Sequence, residues 1–296
     1  MPKRTICIQN PAKVSVRHSA LLVESDRGRA SVPLEDIWVV ILETHYAQIS
    51  TTALSCLADC GVGVMLCGND HMPNGLFLPL GAHSRHAAIV EDQLAISKPL
   101  KKQLWQRIVR QKIENQANVL DLIGQEGLSV RKFASEVLSG DTSNRESAAA
   151  SVYFRRYIFE GKRREGPSTA PLDYGYAVLR AGVGRAAVAG GWLVSRGIHH
   201  SSSLNAFNLV DDLIEPFRPI VDLLVAKERL EGELTPEKKA MLASVFSLIV
   251  RVDDKETTVQ NAIELELSSL KQAVKDRDPG VLLLPAITTF RNAGCE

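Results

Sequence analysis

Residues 197–222 read GIHHSSSLNAFNLVDDLIEPFRPIVD: two adjacent histidines, His199 and His200, a polar stretch, then Asp211, Asp212, Glu215 and Asp222. The acids are set among Phe207, Leu209, Val210, Leu213, Ile214, Phe217, Ile220 and Val221. Acids in such surroundings are costly unless exposed, paired or bound to a metal. On a regular helix Asp211, Glu215 and Asp222 share a face. Pro216 removes a backbone donor and breaks or restarts that helix beside Glu215, a disturbance common at sites and rare in plain surface helices. Carboxylates with one imidazole form a hard, oxygen-rich ligand set, suited to Mg²⁺ or Mn²⁺ rather than to a structural zinc. The spacing alone fits a plainer arrangement as well, with the acids solvated or paired to Arg218 and the histidines capping a helix.

A second segment with chemical potential is SNRESAAASVYFRRYIF, residues 143–159. Glu146 opens an alanine-rich helix, and the positions sharing its face are Ala149, Ala150 and Tyr153. Small side chains there allow an ion, another segment or a DNA backbone to come close. Taken alone, Glu146 is an ordinary first-turn glutamate favoured by the helix dipole, with Ser143 or Asn144 as N-cap. A third segment, residues 172–191, contains Gly182 and Gly184 as Gly-x-Gly, but inside a helical pattern with no preceding strand. A dinucleotide fingerprint needs strand, turn and helix, so these glycines are read as close helix packing. No GxxxxGK[ST] loop is present, which argues against ATP hydrolysis.

The elements that must carry these residues fall into two regions. To about residue 80 the chain reads as β: KVSV, ALLVE and RASVPL are short Val/Leu-rich runs, with SDRG as a hairpin turn between the last two. DIWVVILE and GVGVMLC read as buried strands, and TTALSCLADC between them as a short helix capped by Thr51 or Thr52. From about residue 86 the spacing is helical, through LKKQLWQRIVRQKIENQANVLDLI to PEKKAMLASVFSLIVRV. The expected fold is α+β: a small N-terminal β-rich domain over 1–80, a linker over 81–90, and a larger all-α domain over 91–296.

Composition bounds the remainder. With 296 residues, 45% hydrophobic and 23% charged, the chain is an ordinary globular sequence. It lacks a membrane-length apolar run, and its start, MPKRTICIQN, lacks a signal-peptide pattern. Five scattered cysteines, Cys7, Cys56, Cys60, Cys67 and Cys295, read as buried reduced thiols of a cytoplasmic protein. Net charge is +1, yet residues 98–112 hold Lys98, Lys101, Lys102, Arg107, Arg110 and Lys112 without an acid. Residues 145–164 hold Arg145, Arg155, Arg156, Lys162, Arg163 and Arg164 against Glu146 and Glu160. Separated basic segments can line a phosphate surface, although from charge alone solvated helix faces are the better account.

The order changes that balance. A glutamate before SAAASVYF, then LDYGYAVLRA, then GIHHSSSLNAFNLVDDLIEPFRPIVD, resembles the CRISPR-associated integrase family, the catalytic subunit of spacer acquisition, and most closely its members found beside type II effector nucleases. The resemblance covers nearly the whole chain, with its specific motifs within 143–222. It implies a metal triad of Glu146, His200 and Glu215 holding Mg²⁺ or Mn²⁺. His200 is preferred to His199 because it stands fifteen positions before Glu215. Asp211, Asp212 and His199 become near neighbours, with Asp212 orienting a ligand. Two positions depart from the pattern: Asp173 where asparagine is expected, and Ala206 where proline is expected after Asn205.

The implied activity is transesterification, joining the 3′-hydroxyl of a short DNA fragment to a CRISPR repeat. Arg145, Arg155, Arg156, Lys162, Arg163, Arg164 and Asn205 are the expected DNA contacts. The implied partners are double-stranded DNA, a second copy through the β-rich domain, and a small second adaptation subunit whose dimer bridges two integrase dimers. The RNA-guided effector nuclease is a further candidate partner. Two rivals remain from the sequence: a general metal-dependent nuclease acting on branched or single-stranded DNA, and a non-catalytic DNA-binding assembly subunit.

Overall fold

The computed structural model describes residues 3–69, 72–79, 83–157, 166 and 168–293. The strand-rich region runs β1 (Arg4–Ile8), β2 (Ala12–Arg17), β3 (Ala20–Ser25), β4 (Gly28–Pro33), β5 (Ile37–Leu42), β6 (Ala47–Ile49), α1 (Thr51–Asp59), β7 (Gly63–Cys67) and β8 (Pro73–Phe77). The helical region follows with α2 (His86–Leu94), α3 (Lys98–Leu122), α4 (Leu128–Ser135), α5 (Arg145–Tyr157), α6 (Thr169–Ala189), α7 (Asn208–Leu213), α8 (Arg218–Lys227) and α9 (Pro236–Ala243). A ribbon of β9 (Ile249–Val252) and β10 (Lys255–Thr258) then leads into α10 (Val259–Asp276). None of the described helices is long and apolar enough to cross a membrane.

Two four-stranded sheets share the first region. β2, β3 and β4 form an antiparallel meander, with β6 added parallel to β2. β1, β5 and β7 are parallel, with β8 antiparallel on β7. The run IWVVIL of β5 is buried throughout, so residues 37–42 are core. A bulge opposite Arg4/Thr5 inserts one residue into β5 and breaks strict alternation. Ile37, Val40 and Leu42 therefore face the meander side, while Trp38, Val39 and Ile41 join the core of the helices. Trp38 meets Phe246 edge-on at 4.7 Å and its indole N–H donates to Glu264 at 3.1 Å. This second sheet is thus a shared wall between the two regions.

α3 is the axis of the helical region. Ser97 caps it, and Leu104, Trp105, Ile108, Ile113 and Asn115 point inward. α6 packs against α8 and α9, and there the glycines do permit close approach: a Cβ on Gly182 would lie 2.4 Å from the Phe246 ring, and one on Gly175 2.4 Å from Val221.

Several expectations are corrected. Residues 236–252 are not one helix: α9 ends at Ala243 and the IVRV that follows is strand, because its Val and Ile alternate against β10. α1 is capped by Ser50, whose hydroxyl accepts from the Ala53 amide, rather than by Thr51 or Thr52. Cys60 is exposed, because it stands past the last turn of α1, whereas Cys67 is buried and Cys7 and Cys56 are half-buried.

Candidate active site

Three helices and one irregular segment deliver the residues. α5 begins after a tight turn with positive φ at Gly140 (75°), Asp141 (47°) and Asn144 (51°). The Asp141 carboxylate accepts from the amides of Arg145 (2.8 Å) and Glu146 (3.0 Å), so it is the cap, in place of Ser143 or Asn144. Glu146 is thereby held in the first turn. Pro216 ends the run of α7, and Glu215 sits in the break before α8. The inward packing of Leu209, Leu213 and Phe217, each 1% exposed or less, forces Glu215 into the interior at 5% exposure. The carbonyl of Pro216, stripped of a helical partner, accepts from the Asn115 side chain at 2.7 Å. Asn115 also donates to Pro285 O (2.9 Å) and accepts from the Ile287 amide (3.1 Å), so a fully buried amide staples the break.

His200 follows an irregular stretch organised by Asp212, which is fully buried. The Asp212 carboxylate accepts from the amides of Ile198 (2.5 Å), His199 (3.0 Å) and His200 (3.0 Å), and from the His200 ring Nδ1 at 2.7 Å. With Nδ1–H given to Asp212, the neutral ring carries its lone pair on Nε2. Asp212 first, opposed by partial burial and helped by Glu215, holds the imidazolium above the ordinary histidine range. The His199 ring lies flat on Trp105, centroids 4.2 Å apart, and Trp105 meets the edge of the His200 ring at 5.7 Å.

Glu146 and Glu215 converge on one cation, the ammonium of Lys112 from α3. Lys112 Nζ lies 2.6 Å from Glu146 Oε1 and is also ion-paired to Glu215 Oε2. Arg218 Nε pairs with the other Glu215 oxygen at 2.9 Å. Burial alone would raise the Glu215 carboxyl, but Lys112, then Arg218, outweigh it and hold it below the ordinary glutamate range. Burial likewise pulls the Lys112 ammonium down, and Glu215 and Glu146 more than offset it.

Among the described residues no three His, Cys, Asp or Glu side chains are gathered at metal-ligand distance. The residues nevertheless fit a divalent ion. Two carboxylates already share one buried cation, and a third donor, His200, has the carboxylate-backed imidazole typical of metal ligands and interacts electrostatically with Glu215. The ammonium occupies the space between the two carboxylates.

The other expected residues are placed as follows. Asp211 pairs with Arg180 (2.6 Å) and accepts from Asn205 (2.7 Å). Asn205 also accepts from Arg180 and from the Phe207 amide, so its side chain holds the loop together. Asp222 accepts from tyrosines, and Arg218 pairs with Glu215. Arg155 is exposed, while Arg145 pairs with Glu136 (3.2 Å) and Arg156 with Glu126 (2.9 Å). Lys162, Arg163 and Arg164 lie outside the described residues. The segment 98–112 is no single track: Lys98, Lys102 and Arg110 are exposed, Lys101 and Arg107 bond backbone carbonyls, and Lys112 turns into the site. Lys112, Asn115 and Trp105 were not singled out from sequence. Spacing alone carries the signal for Lys112, since it breaks the outward run of its basic neighbours by standing three residues before Asn115 on the inward face.

The chain has counterparts elsewhere over nearly its whole length. A CRISPR-associated endonuclease Cas1 of Neisseria meningitidis serogroup C is 42% identical over 98% of this chain and 98% of its own. A Cas1 endonuclease of Pyrobaculum aerophilum is 30% identical, over 79% of this chain and 86% of its own. Among solved structures, a casposase bound to integration product superposes with a TM-score of 0.77 at 18% identity, over 94% of this chain and 92% of that one. A CAS1 protein from Thermotoga maritima gives 0.73 at 16% identity, over 92% and 97%. Residues 6–241, which include Glu146, His200 and Glu215, match the family described as CRISPR associated protein Cas1, and the chain belongs to that family.

Proposed function

We propose that this chain is a divalent-metal-dependent DNA integrase and endonuclease of CRISPR adaptation, joining 3′-hydroxyl ends of short foreign DNA fragments to the CRISPR repeat by transesterification. The observation that carries it is the convergence of Glu146 and Glu215 on one buried cation beside an Asp212-oriented His200. The names of the relatives, endonucleases and a casposase caught with its integration product, support the same reading.

Glu146, Glu215 and His200 Nε2 would hold Mg²⁺ or Mn²⁺, which when bound would supply activation of an attacking hydroxyl and charge stabilisation of the leaving oxygen. The protein's own work is placement. Asp212 fixes the His200 tautomer, Arg218 orients Glu215, and Asn115 locks the helix break that aims it. Lys112, now between the two carboxylates, would supply a cation to the phosphate if the ion took its place. Arg145, Arg155 and Arg156 on α5, with Lys162, Arg163 and Arg164 beyond it, bind the DNA backbone without reading sequence.

Residues 91–296 carry the chemistry in this reading, and residues 1–80, joined through 81–90, carry dimerisation. Solved Cas1–DNA and Cas6-RT-Cas1–Cas2 complexes support DNA and a Cas2-like second subunit as partners. The assembly is two integrase dimers bridged by one partner dimer, with the effector nuclease an additional partner.

The test mixes purified protein, Mn²⁺, a labelled duplex with free 3′-hydroxyls and a supercoiled plasmid bearing a CRISPR repeat, with Glu146→Ala alongside. Label transferred by wild type alone supports the reading. Nicking without transfer supports a general nuclease, and equal behaviour of the two proteins removes Glu146 from catalysis.

A further inference from the structure

Two turns below the carboxylates is a second buried acid outside the ion site. Asp222, on α8, is 1% exposed. Its Oδ2 accepts from Tyr153 OH at 2.8 Å, its Oδ1 from Tyr176 OH, and its main-chain carbonyl from Tyr157 OH at 2.8 Å. Tyr153 and Tyr157 belong to α5 and Tyr176 to α6, so one carboxylate ties three helices together. The placement relates directly to the site. Tyr153 is seven residues after Glu146 on α5, and Asp222 is seven residues after Glu215. The same two chain segments are therefore joined twice, at the carboxylates through Lys112 and two turns on through Asp222. Tyr176 links the two levels, since the Arg218 guanidinium that pairs with Glu215 lies 5.0 Å above its ring.

An apolar seam would fill this volume without desolvating a charge. Apolar surfaces also slide on one another. A carboxylate only accepts, so every phenol facing it must donate in a set direction, and the register of α5 against α8 is fixed. Metal ligands need placement to within about 0.5 Å, and when the ion replaces Lys112 the upper tie is exchanged while the lower one persists.

We infer that Asp222 is a positioning residue for the ion site: the Tyr153–Asp222–Tyr176 knot sets the distance between Glu146 and Glu215. This rests on the metal reading proposed above. The test is Mn²⁺ affinity of the full chain, read from the free-ion electron paramagnetic resonance signal well below the unfolding temperature. Asp222→Asn is expected to weaken binding at least about tenfold, the lower end for outer partners of metal ligands. Tyr153→Phe and Tyr176→Phe move affinity in the same direction and decide the question if Asp222→Asn does not fold. Leu270→Ala, a fully buried truncation on α10, controls for lost stability and leaves affinity unchanged. Affinity in the Asp222 and tyrosine variants equal to wild type, or reduced no more than in Leu270→Ala, overturns the inference while the metal reading stands. Glu146→Gln separates the two: if it too leaves Mn²⁺ binding intact, the metal reading fails and the knot loses the task assigned to it.

Discussion

Replacing Lys112 by methionine keeps the stem of the side chain as far as Cε and removes the ammonium. Lys112 sits between Glu146 and Glu215 with only 12% of its side chain exposed, so the apolar replacement stays in the same channel. A divalent ion cannot join the carboxylates while the ammonium remains. At about 4 Å and an effective dielectric of about 20, two unit charges repel by roughly 4 kcal/mol and an ammonium and a divalent ion by about twice that. The cheaper course is for Lys112 to leave, giving up charge-assisted contacts worth about 1.5–3 kcal/mol. Wild-type ion binding carries that penalty and the variant does not. At about 1.4 kcal/mol per tenfold, Lys112→Met binds Mn²⁺ about 10- to 100-fold more tightly. Without the ion the variant leaves Glu146 without its cation and Glu215 with Arg218 alone, and loses about 3 kcal/mol of stability, the lower end for breaking a buried pair. Calorimetric titration with Mn²⁺ gives the affinity, and thermal unfolding with and without Mn²⁺ shows the stability returning when the ion is added. Equal or weaker Mn²⁺ binding in the variant refutes the placement of the ion at the ammonium position.

Three further outcomes follow from the same geometry. Asn115→Ala orphans the carbonyls of Pro216 and Pro285 and is expected to cost about 2–3 kcal/mol in denaturant unfolding, with strand transfer falling as Glu215 loses its fixed aim. His200 titrates above the ordinary imidazole value of about 6.5, so Mn²⁺ affinity falls as pH drops through that raised pKa; Asp212→Asn moves the midpoint down. The sign for ion-free stability is opposite: the imidazolium–Asp212 pair stabilises fully below the unfolded pKa, and its contribution is lost as pH rises through the folded one, as pH-dependent unfolding will show. Arg155→Gln and Arg156→Gln each lower the salt slope of DNA affinity by about 1, measured by fluorescence anisotropy at several salt concentrations.

Much of the frame was legible because it rests on local rules. The alternating runs of β2 to β4 and the continuous apolar β5 show in the sequence, and Pro216 marks the break beside Glu215. What escaped depends on long-range contact. Asp141 caps α5 because Gly140 adopts φ of 75° three residues before Ser143, the first of the expected caps. Asp222 shares a helical period with Glu215, yet it faces phenols brought from α5 and α6, and no spacing within residues 197–222 reports them. Lys112 looks like one more solvated cation until the fold sets it across from two glutamates 34 and 103 positions away. The strand at 249–252 was hidden by the helical spacing of the segment before it.

The central claim, one divalent ion held by Glu146, His200 and Glu215, is tested most directly by anomalous scattering from a crystal soaked in Mn²⁺. The account predicts a single strong peak about 2.1 Å from Glu146, Glu215 and the His200 Nε2 atom, with the Lys112 ammonium withdrawn from between the carboxylates. A peak beside Asp211 or Asp222, or Lys112 still bridging Glu146 and Glu215 at saturating Mn²⁺, would contradict it.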